Sequence, residues 1–228
     1  MEIIKNNIII LIILFSSLFS NNEFNYKIKY FGIHTANCTI SSSDTLLNEE
    51  NVKKIIFNVK TKPFFDFFFP IDNKYSIILN RENRILSFTK NTNQPRVKNL
   101  LKTKIINDRV LYNNSDFEIL PNYYNIFSVL YIVMSGGILP ENFIIEREGL
   151  IYNSSIYFDD SKGMYILNLK KENDSHPIIN HTDIFTWAVF MENAQRRIFI
   201  NSQTKEIEKC VFSKGLKSIS AHLIHNPH

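Results

Sequence analysis

Residues 24–30, FNYKIKY, place an aromatic or aliphatic side chain at every second position, with Asn or Lys between them. Successive side chains of a strand point to opposite faces, so this segment predicts a strand with one buried and one solvated face. The same alternation returns in Lys53–Val59, and further strand candidates follow at short spacing as far as Ile224. Regularly spaced short strands predict an antiparallel sandwich, barrel or half-barrel rather than alternating strands and helices.

Turn residues separate the predicted strands. Gly32 marks a bend after the first strand, and Asn80–Asn83 and Asp159–Gly163 are typical hairpin connections. We therefore predict an all-β fold with one helix. The expected architecture is a strongly curved antiparallel sheet of about ten to thirteen strands, a half-barrel or open barrel wrapped around a single buried helix.

One segment, Asn122 to Ser135, breaks the period of two. Pro121 and Asn122 are typical of a helix start, and Gly136-Gly137 of a helix end. Its apolar residues recur at spacings of three and four, at Ile126, Val129, Leu130 and Val133. Because aromatic residues extend this stripe around most of the circumference, we expect the helix to be well buried.

The only tryptophan, Trp187, lies in Phe185–Met191, a run that we predict to be a strand buried on both faces. One face could meet the helix and the other line a cavity, or both faces could be ordinary core.

His181 and Asp183 lie two residues apart and could share a strand face. The sequence offers neither a third ligand nor a nucleophile beside them, so we predict no catalytic residue and no metal site.

Residues 63–70, PFFDFFFP, hold five phenylalanines between two prolines. Prolines at both ends exclude a central strand. One interpretation is a loop or short helical turn whose rings plug one end of the core. The other is an apolar lip at a cavity mouth or on a docking surface, because clustered exposed aromatic side chains seldom occur without a partner.

Residues 1–20, MEIIKNNIIILIILFSSLFS, predict a cleaved secretory signal peptide. Lys5 supplies the positive charge, and the polar residues 21–23 end the apolar run before it is long enough to span a bilayer. An uncleaved N-terminal anchor is the alternative. We expect residues 21–228 to form a single β-rich periplasmic domain, with no stable transmembrane segment after cleavage.

The composition argues against several classes of partner. The chain has 26 Lys and Arg against 22 Asp and Glu, and these basic residues are scattered rather than interleaved with aromatics, so we expect no nucleic-acid binding.

No CxxC motif occurs, and neither Cys38 nor Cys210 directly follows the signal peptide. A redox dithiol, a zinc knuckle and a lipid-modified N-terminus are therefore not expected, and neither is a cofactor. We expect both thiols to be free and buried, because an open sheet keeps its terminal strands apart.

The opening segment Tyr26–Ile33, the mid-chain segment Tyr123–Met134 and the closing segments Phe190–Ile200 and Ser218–Leu223 together resemble an exported bacterial family catalogued as domain of unknown function 3108. The resemblance covers about residues 24–224. It implies a periplasmic location and a curved antiparallel sheet, and no reaction, since the family has no established activity. The architecture is similar, as a distant analogy, to the lipoprotein carriers LolA and LolB.

A half-barrel of this size has a concave face wider than one helix can fill, and an unfilled apolar concavity is a ligand site by default. We therefore predict a non-enzymatic, exported envelope protein that binds or carries an apolar ligand, such as a lipid or acyl chain. The alternative is a periplasmic scaffold or chaperone-like protein that docks an envelope partner through Phe64–Phe69. A hydrolase using His181 and Asp183 is the third hypothesis. The residues predicted to bind the ligand are Tyr26, Ile28, Tyr30, Phe64, Phe68 and Trp187.

Overall fold

The computed structural model of the protein describes residues 22–113 and 115–225. The signal peptide predicted for residues 1–20 lies outside these residues. In the part of the chain that is described, no helix combines the length and the apolar character needed to cross a membrane.

Fifteen strands and three short helices form the described part of the fold. The strands are β1 (Asn22–Tyr30), β2 (Ile33–Leu47), β3 (Glu50–Thr61), β4 (Asp72–Leu79), β5 (Ile85–Gln94), β6 (Val97–Ile106), β7 (Arg109–Tyr112), β8 (Glu118–Ile119), β9 (Tyr123–Tyr124), β10 (Asn142–Arg147), β11 (Leu150–Asp159), β12 (Met164–Lys171), β13 (Gln195–Ile200), β14 (Ile207–Lys214) and β15 (Lys217–Leu223). The helices are α1 (Pro63–Asp66), α2 (Ile126–Met134) and α3 (Ile184–Val189).

All the strands belong to one sheet, in the order β8-β7-β6-β5-β4-β3-β2-β1-β15-β14-β13-β12-β11-β10-β9. The first and last strands are therefore neighbours in the middle of the sheet, where Ile28 lies opposite Ala36 on one side and Ala221 on the other. The two edges, β8 and β9, follow one another in the chain. Ile119 and Tyr123 are four Cα steps apart, at most about 14 Å, so the edges lie close together and the sheet is nearly closed into a barrel.

The predicted all-β fold with a strongly curved, mostly antiparallel sheet is confirmed. Two details of the prediction are wrong. The strand number is fifteen in the described residues, because three strands of two to four residues, β7 to β9, complete the edges. The number of helices there is three rather than one.

Alternating residues of the strands lie on the inner and outer faces of the barrel wall. Tyr26 and Ile28 point inward and are 3% and 6% exposed, while Lys27 between them is exposed. Inward side chains from both halves of the sheet form one apolar core with α2. The Phe127 ring of α2 stacks on Tyr75 of β4, with ring centroids 4.2 Å apart. The concave face therefore packs on the helix, as the sequence predicts.

Helix α2 begins four residues later than the predicted start at Asn122. The residues before it, Tyr123 and Tyr124, form β9 and pair with β10 in parallel. Asn125 is the N-cap: its Oδ1 accepts from the Ser128 amide at 2.8 Å, while Ser128 Oγ accepts from the Asn125 amide at 3.0 Å. This reciprocal pair satisfies amides that the first turn leaves free. The prediction that the helix is buried is confirmed, because eight of its nine residues are buried.

The strand predicted for Phe185–Met191 is wrong, because most of this segment is helix α3. Asp183 is its N-cap, with Oδ1 accepting from the Phe185 amide at 2.9 Å and the Thr186 amide at 3.0 Å. The guanidinium of Arg196 fixes the chain that follows, donating to three carbonyl groups, those of Val189, Met191 and Ala194. A short apolar run fits a strand and a helix equally well. Here the Asp183 cap and the hydrogen bonds of Arg196 favour the helix.

The phenylalanines of 63–70 do not plug the core. The segment begins with the short helix α1, in which no residue is buried. Thr61 Oγ1 donates to Asp66 Oδ1 at 2.6 Å and so holds the turn on the end of β3. The interpretation of these rings as core is therefore wrong, and they form an exposed apolar surface instead.

A close backbone contact attaches the long connection before α3 to the barrel. Ile178 donates its amide hydrogen to the Glu148 carbonyl oxygen at 2.8 Å. At the adjacent Gly149, φ is +89° and a Cβ atom would lie 2.6 Å from the His176 carbonyl oxygen. Only glycine accommodates both the left-handed backbone and this approach. The turn between β10 and β11 is thereby held against residues 172–183.

Candidate functional site

An apolar cavity of about 100 Å³ lies between α2 and the concave face of the sheet. Strands β1 to β4, β14 and β15 contribute its walls, together with α2 and α3. The lining residues are Tyr26, Ile28, Cys38, Ile40, Phe57, Val59, Tyr75, Ile126, Phe127, Leu130, Met134, Phe185, Thr186, Val189, Ile207, Cys210, Phe212, Ile219 and Ala221. The walls are therefore almost entirely hydrocarbon, aromatic ring and sulfur.

Two of the six predicted ligand-binding residues, Tyr26 and Ile28, line this cavity. The Tyr26 hydroxyl donates to the Ile207 carbonyl oxygen at 3.0 Å, so its hydrogen is already used. Burial raises the pKa of Tyr26 well above its ordinary value, and the neighbouring thiols add to the effect. Tyr26 is consequently a neutral wall residue.

The structure places the other four predicted residues elsewhere. Tyr30 is half-buried, and its ring contacts that of Phe31, with centroids 4.4 Å apart. Trp187 lies on the outer side of α3, where Lys217 Nζ is 5.6 Å from its ring centroid. Phe64 and Phe68 are exposed. The cavity residues that the prediction missed come mainly from β14, β15 and α2. Strands β14 and β15 reach the cavity because the end of the chain pairs with β1, and α2 reaches it because the sheet curves around the helix.

Both cysteines are free and buried, as predicted, and both line the cavity. The reason given for the prediction is wrong, because the terminal strands are adjacent. The thiols stay apart because β1 and β15 separate β2 from β14. Three strand spacings amount to about 14 Å along the sheet, beyond the roughly 7 Å that a disulfide allows between Cα atoms.

We expect both native thiols to react very slowly with a thiol reagent such as Ellman's reagent. Burial raises the pKa of Cys38 and of Cys210 to about 12, and the thiolate is the reactive form. A Phe64→Cys variant supplies an exposed thiol as the control. We expect one fast-reacting thiol in this variant, none in the unaltered protein, and reaction of all of them in urea. A mass increase of two hydrogen atoms on reduction of the native protein would show a disulfide and contradict the prediction.

A cluster of buried charges lies next to the cavity. We call Lys90, Glu148 and Asp183, with Thr182 and Thr186, the Lys90 cluster. Lys90 Nζ pairs with Glu148 and, at 2.5 Å, with Asp183. It also donates to the hydroxyl oxygens of Thr182 at 3.0 Å and Thr186 at 3.3 Å. The three charged side chains are at most 4% exposed, so water does not screen their attraction.

The electrostatics of the Lys90 cluster favour its charged form. Burial alone would lower the pKa of Lys90, but the carboxylates of Asp183 and Glu148 outweigh it and raise the pKa above its ordinary value. Burial alone would likewise raise the pKa of Asp183, and Lys90 lowers it instead. Lys90 is therefore a fixed cation that joins β5, the β10–β11 turn and the start of α3.

Glu146 lies close to the Lys90 cluster and behaves differently. The Tyr112 hydroxyl donates to its Oε2 at 2.8 Å, and the Gly149 amide donates to its Oε1 at 2.7 Å. Burial nevertheless raises the pKa of Glu146 to about 7. Only about 10 Å³ of empty space remains between Lys90, Glu146 and their neighbours. That is room for about one water, so a substrate does not fit beside these groups.

His181 and Asp183 are not brought to one site. The His181 side chain is exposed, whereas Asp183 is fully buried and pairs with Lys90. The sequence signal for the Lys90 cluster lies instead in β5. There Lys90 shares the inward face with Phe88 by the period of two, and polar Thr92 follows on the same face. A lysine in register with buried aromatics indicates a buried partner of opposite charge.

A wider depression of about 630 Å³ lies on the surface beyond the C-terminal end of α2. Its walls include exposed apolar side chains, Ile138, Tyr157 and Phe158, but also the charged residues Asp160 and Lys205. It is thus open and mixed in polarity, in contrast to the interior cavity. The cavity and the depression share no lining residue, so each can be filled by its own substitution.

No family model and no curated protein matches the chain. Among solved structures, it is similar to a beta-barrel-like protein of domain of unknown function DUF1849 from Brucella abortus, with a TM-score of 0.44. The two sequences are 7% identical, and the match covers 89% of this chain and 95% of that chain. The resemblance to domain of unknown function 3108 stays a prediction.

Proposed function

We propose that this β-barrel-like protein is a non-enzymatic, exported binding protein whose interior takes up a small apolar group. The observation that carries the proposal is the cavity under α2, whose walls are apolar side chains from both halves of the sheet and two helices. Such a space is dry, because water finds no hydrogen-bond partners there. An apolar ligand entering it loses little hydration and gains contact on all sides.

The size of the cavity limits the ligand. Pockets for drug-sized molecules measure about 300–1,000 Å³, whereas this cavity measures about 100 Å³. A cavity of about 150 Å³ is known to admit benzene. The proposed ligand is therefore a single ring or the end of an acyl chain rather than a whole lipid. The half-buried lining residues Leu130, Phe185 and Ala221 mark where it would enter.

The proposal is tested by filling the cavity. We expect the unaltered protein to bind a small alkylbenzene, seen as a rise in melting temperature that saturates with ligand concentration. Ile28→Trp should abolish this response while costing less than about 1 kcal/mol, because the indole enters existing space. Val129→Trp adds the same ring at a fully buried position of α2 that does not line the cavity. There over-packing should cost about 1–3 kcal/mol.

Ile138→Trp is the matched control, since it adds the ring to the surface depression instead. It should leave alkylbenzene binding unchanged. Loss of binding in this variant, with binding retained in Ile28→Trp, would move the site to the surface. Absence of binding by the unaltered protein, with equal destabilisation by Ile28→Trp and Val129→Trp, would make the cavity ordinary core and overturn the proposal.

A further inference from the structure

Three hairpin ends lie side by side at one end of the barrel. In an antiparallel sheet every second connection lies at the same end, and the order β4-β3-β2-β1-β15-β14 makes the connections β3–β4, β1–β2 and β14–β15 consecutive. Backbone hydrogen bonds join them. The Lys62 amide donates to the Thr35 carbonyl oxygen at 2.9 Å, and the Phe31 amide donates to the Ser218 carbonyl oxygen at 3.0 Å.

These three connections carry a continuous set of exposed apolar side chains, which we call the apolar rim: Phe31, Ile33, Phe64, Phe67, Phe68, Phe69 and Leu216. Phe67 is 85% exposed and Leu216 is 92% exposed. The rings of Phe64, Phe67 and Phe68 contact one another rather than the core, with centroids 5.1–6.0 Å apart. Exposure of this extent on neighbouring turns indicates a surface that is covered in use.

The opposite end of the same strands differs. Its tight turns are polar, at Asn48–Glu49, Arg81–Asn83 and Ser202–Lys205. Hairpin tips need only residues that permit the turn, and polar ones keep a protein soluble. The neighbouring hairpin turns therefore differ in polarity between the two ends, although exposed apolar side chains such as Leu46 and Ile138 also lie at the opposite end.

Basic side chains surround the apolar rim. The three hairpin ends, residues 29–37, 60–72 and 212–219, contain five lysines and two aspartates. The lysines are Lys29, Lys60, Lys62, Lys214 and Lys217. Across residues 22–113 and 115–225, none of these five lysines takes part in an ion pair. Their charge is therefore available to an anionic partner.

We propose that the apolar rim docks on the surface of an anionic lipid bilayer. The rim is a row of protruding turns, which suits insertion into a fluid interface. Phenylalanine, leucine and tryptophan beside lysine are the composition of interfacial anchors, where the rings enter the headgroup region and the ammonium groups reach lipid phosphates. This docking goes beyond the proposed ligand site and does not depend on it, because no rim residue lines the cavity.

Trp187 makes the proposal directly measurable. It is the only tryptophan of the chain, and it contacts Lys217 beside the rim. We expect its fluorescence to shift to the blue, and to be quenched by brominated lipid, when the full chain meets phosphatidylcholine vesicles that contain phosphatidylglycerol. Binding through a segment at the other end of the barrel would leave the surroundings of Trp187 unchanged. The readout thus reports lipid contact at the rim end of the barrel.

Phe67→Ser combined with Phe68→Ser should weaken vesicle binding by about tenfold or more for each ring removed. Ile138→Ser removes an equally exposed apolar side chain elsewhere and should change nothing. Lys60→Gln with Lys214→Gln should cost about fivefold per lysine with anionic vesicles. Lys102→Gln with Lys104→Gln, on the exposed face of β6, gives the same charge change away from the rim.

Loss of the Trp187 response in the phenylalanine variant alone, together with a preference for anionic vesicles that depends on the rim lysines, supports the proposal. No Trp187 response by the unaltered protein would overturn it. A response that survives Phe67→Ser with Phe68→Ser would also overturn it. Equal binding to vesicles without phosphatidylglycerol would overturn the anionic preference and leave a generic apolar contact.

Discussion

Lys90→Met is expected to cost about 3–5 kcal/mol of unfolding free energy, the range for breaking a buried ion pair from one side. The substitution keeps an unbranched side chain but removes the ammonium group, and it leaves Glu148 and Asp183 as unpaired carboxylates that are at most 4% exposed. Thr182 and Thr186 also lose a hydrogen-bond donor. Urea unfolding monitored by circular dichroism measures the change. A loss of this size is a large part of the 5–15 kcal/mol typical of a domain.

Lys53→Met is the matched control. Lys53 pairs with Asp44 at the same 2.5 Å, but these side chains are 33% and 44% exposed, so removing the pair should cost less than about 1 kcal/mol. Adding Glu148→Gln and Asp183→Asn to Lys90→Met should restore much of the lost stability. The buried charges disappear, and asparagine can still cap α3. Similar losses in Lys90→Met and Lys53→Met would show that the Lys90 cluster is not buried in solution.

Glu146→Gln is expected to stabilise the protein at pH 8 relative to the unaltered chain, and to do so less at pH 5. Burial raises the pKa of Glu146 from 4.5 to about 7. Between these values the folded protein holds the proton and the unfolded chain has released it, so stability falls as pH rises. Glutamine removes this dependence. The difference in unfolding free energy between the two proteins should therefore grow by about 3 kcal/mol from pH 4.5 to 7 and then level off.

Glu82→Gln provides the comparison for this pH series. Glu82 lies on an exposed hairpin turn beside Arg84, with 65% of its side chain exposed. The change in formal charge is the same, and its effect should stay within about 0.5 kcal/mol throughout. A difference between Glu146→Gln and the unaltered protein that does not vary with pH would mean that Glu146 is ionised inside the barrel.

The sequence predicts the strands well where one face is buried and the other solvated. In residues 24–30 the alternation of apolar and polar side chains predicts the strand and its buried face. The wall residues Tyr26 and Ile28 follow from the same pattern. Helix α2 is predicted equally well, from apolar residues at spacings of three and four. Its start is misplaced because Tyr123 and Tyr124 pair with β10, a tertiary contact that local residues do not reveal.

The rest of the site depends on contacts between distant segments. The run around Trp187 is apolar at most positions, and such runs fit a buried strand and a buried helix equally. Asp183, the helix cap, was the available signal. The size of the cavity follows from how far the sheet curves around α2, which no local pattern encodes. The Lys90 cluster joins residues 58 and 93 positions apart, so only the fold brings them together.

Because β1 pairs with β15 in the middle of the sheet, the barrel is completed only when both strands are present. Strands β1 to β8 can form a meander as they are synthesised, but β1 keeps an open edge until β15, almost two hundred residues later, is available. An open edge is a site for pairing with other chains. A truncated copy would therefore not be a slightly smaller barrel. It would consist of two separate half-sheets, with an unpaired edge strand that stays open to pairing with other chains. Proteases and chaperones recognise products of this kind.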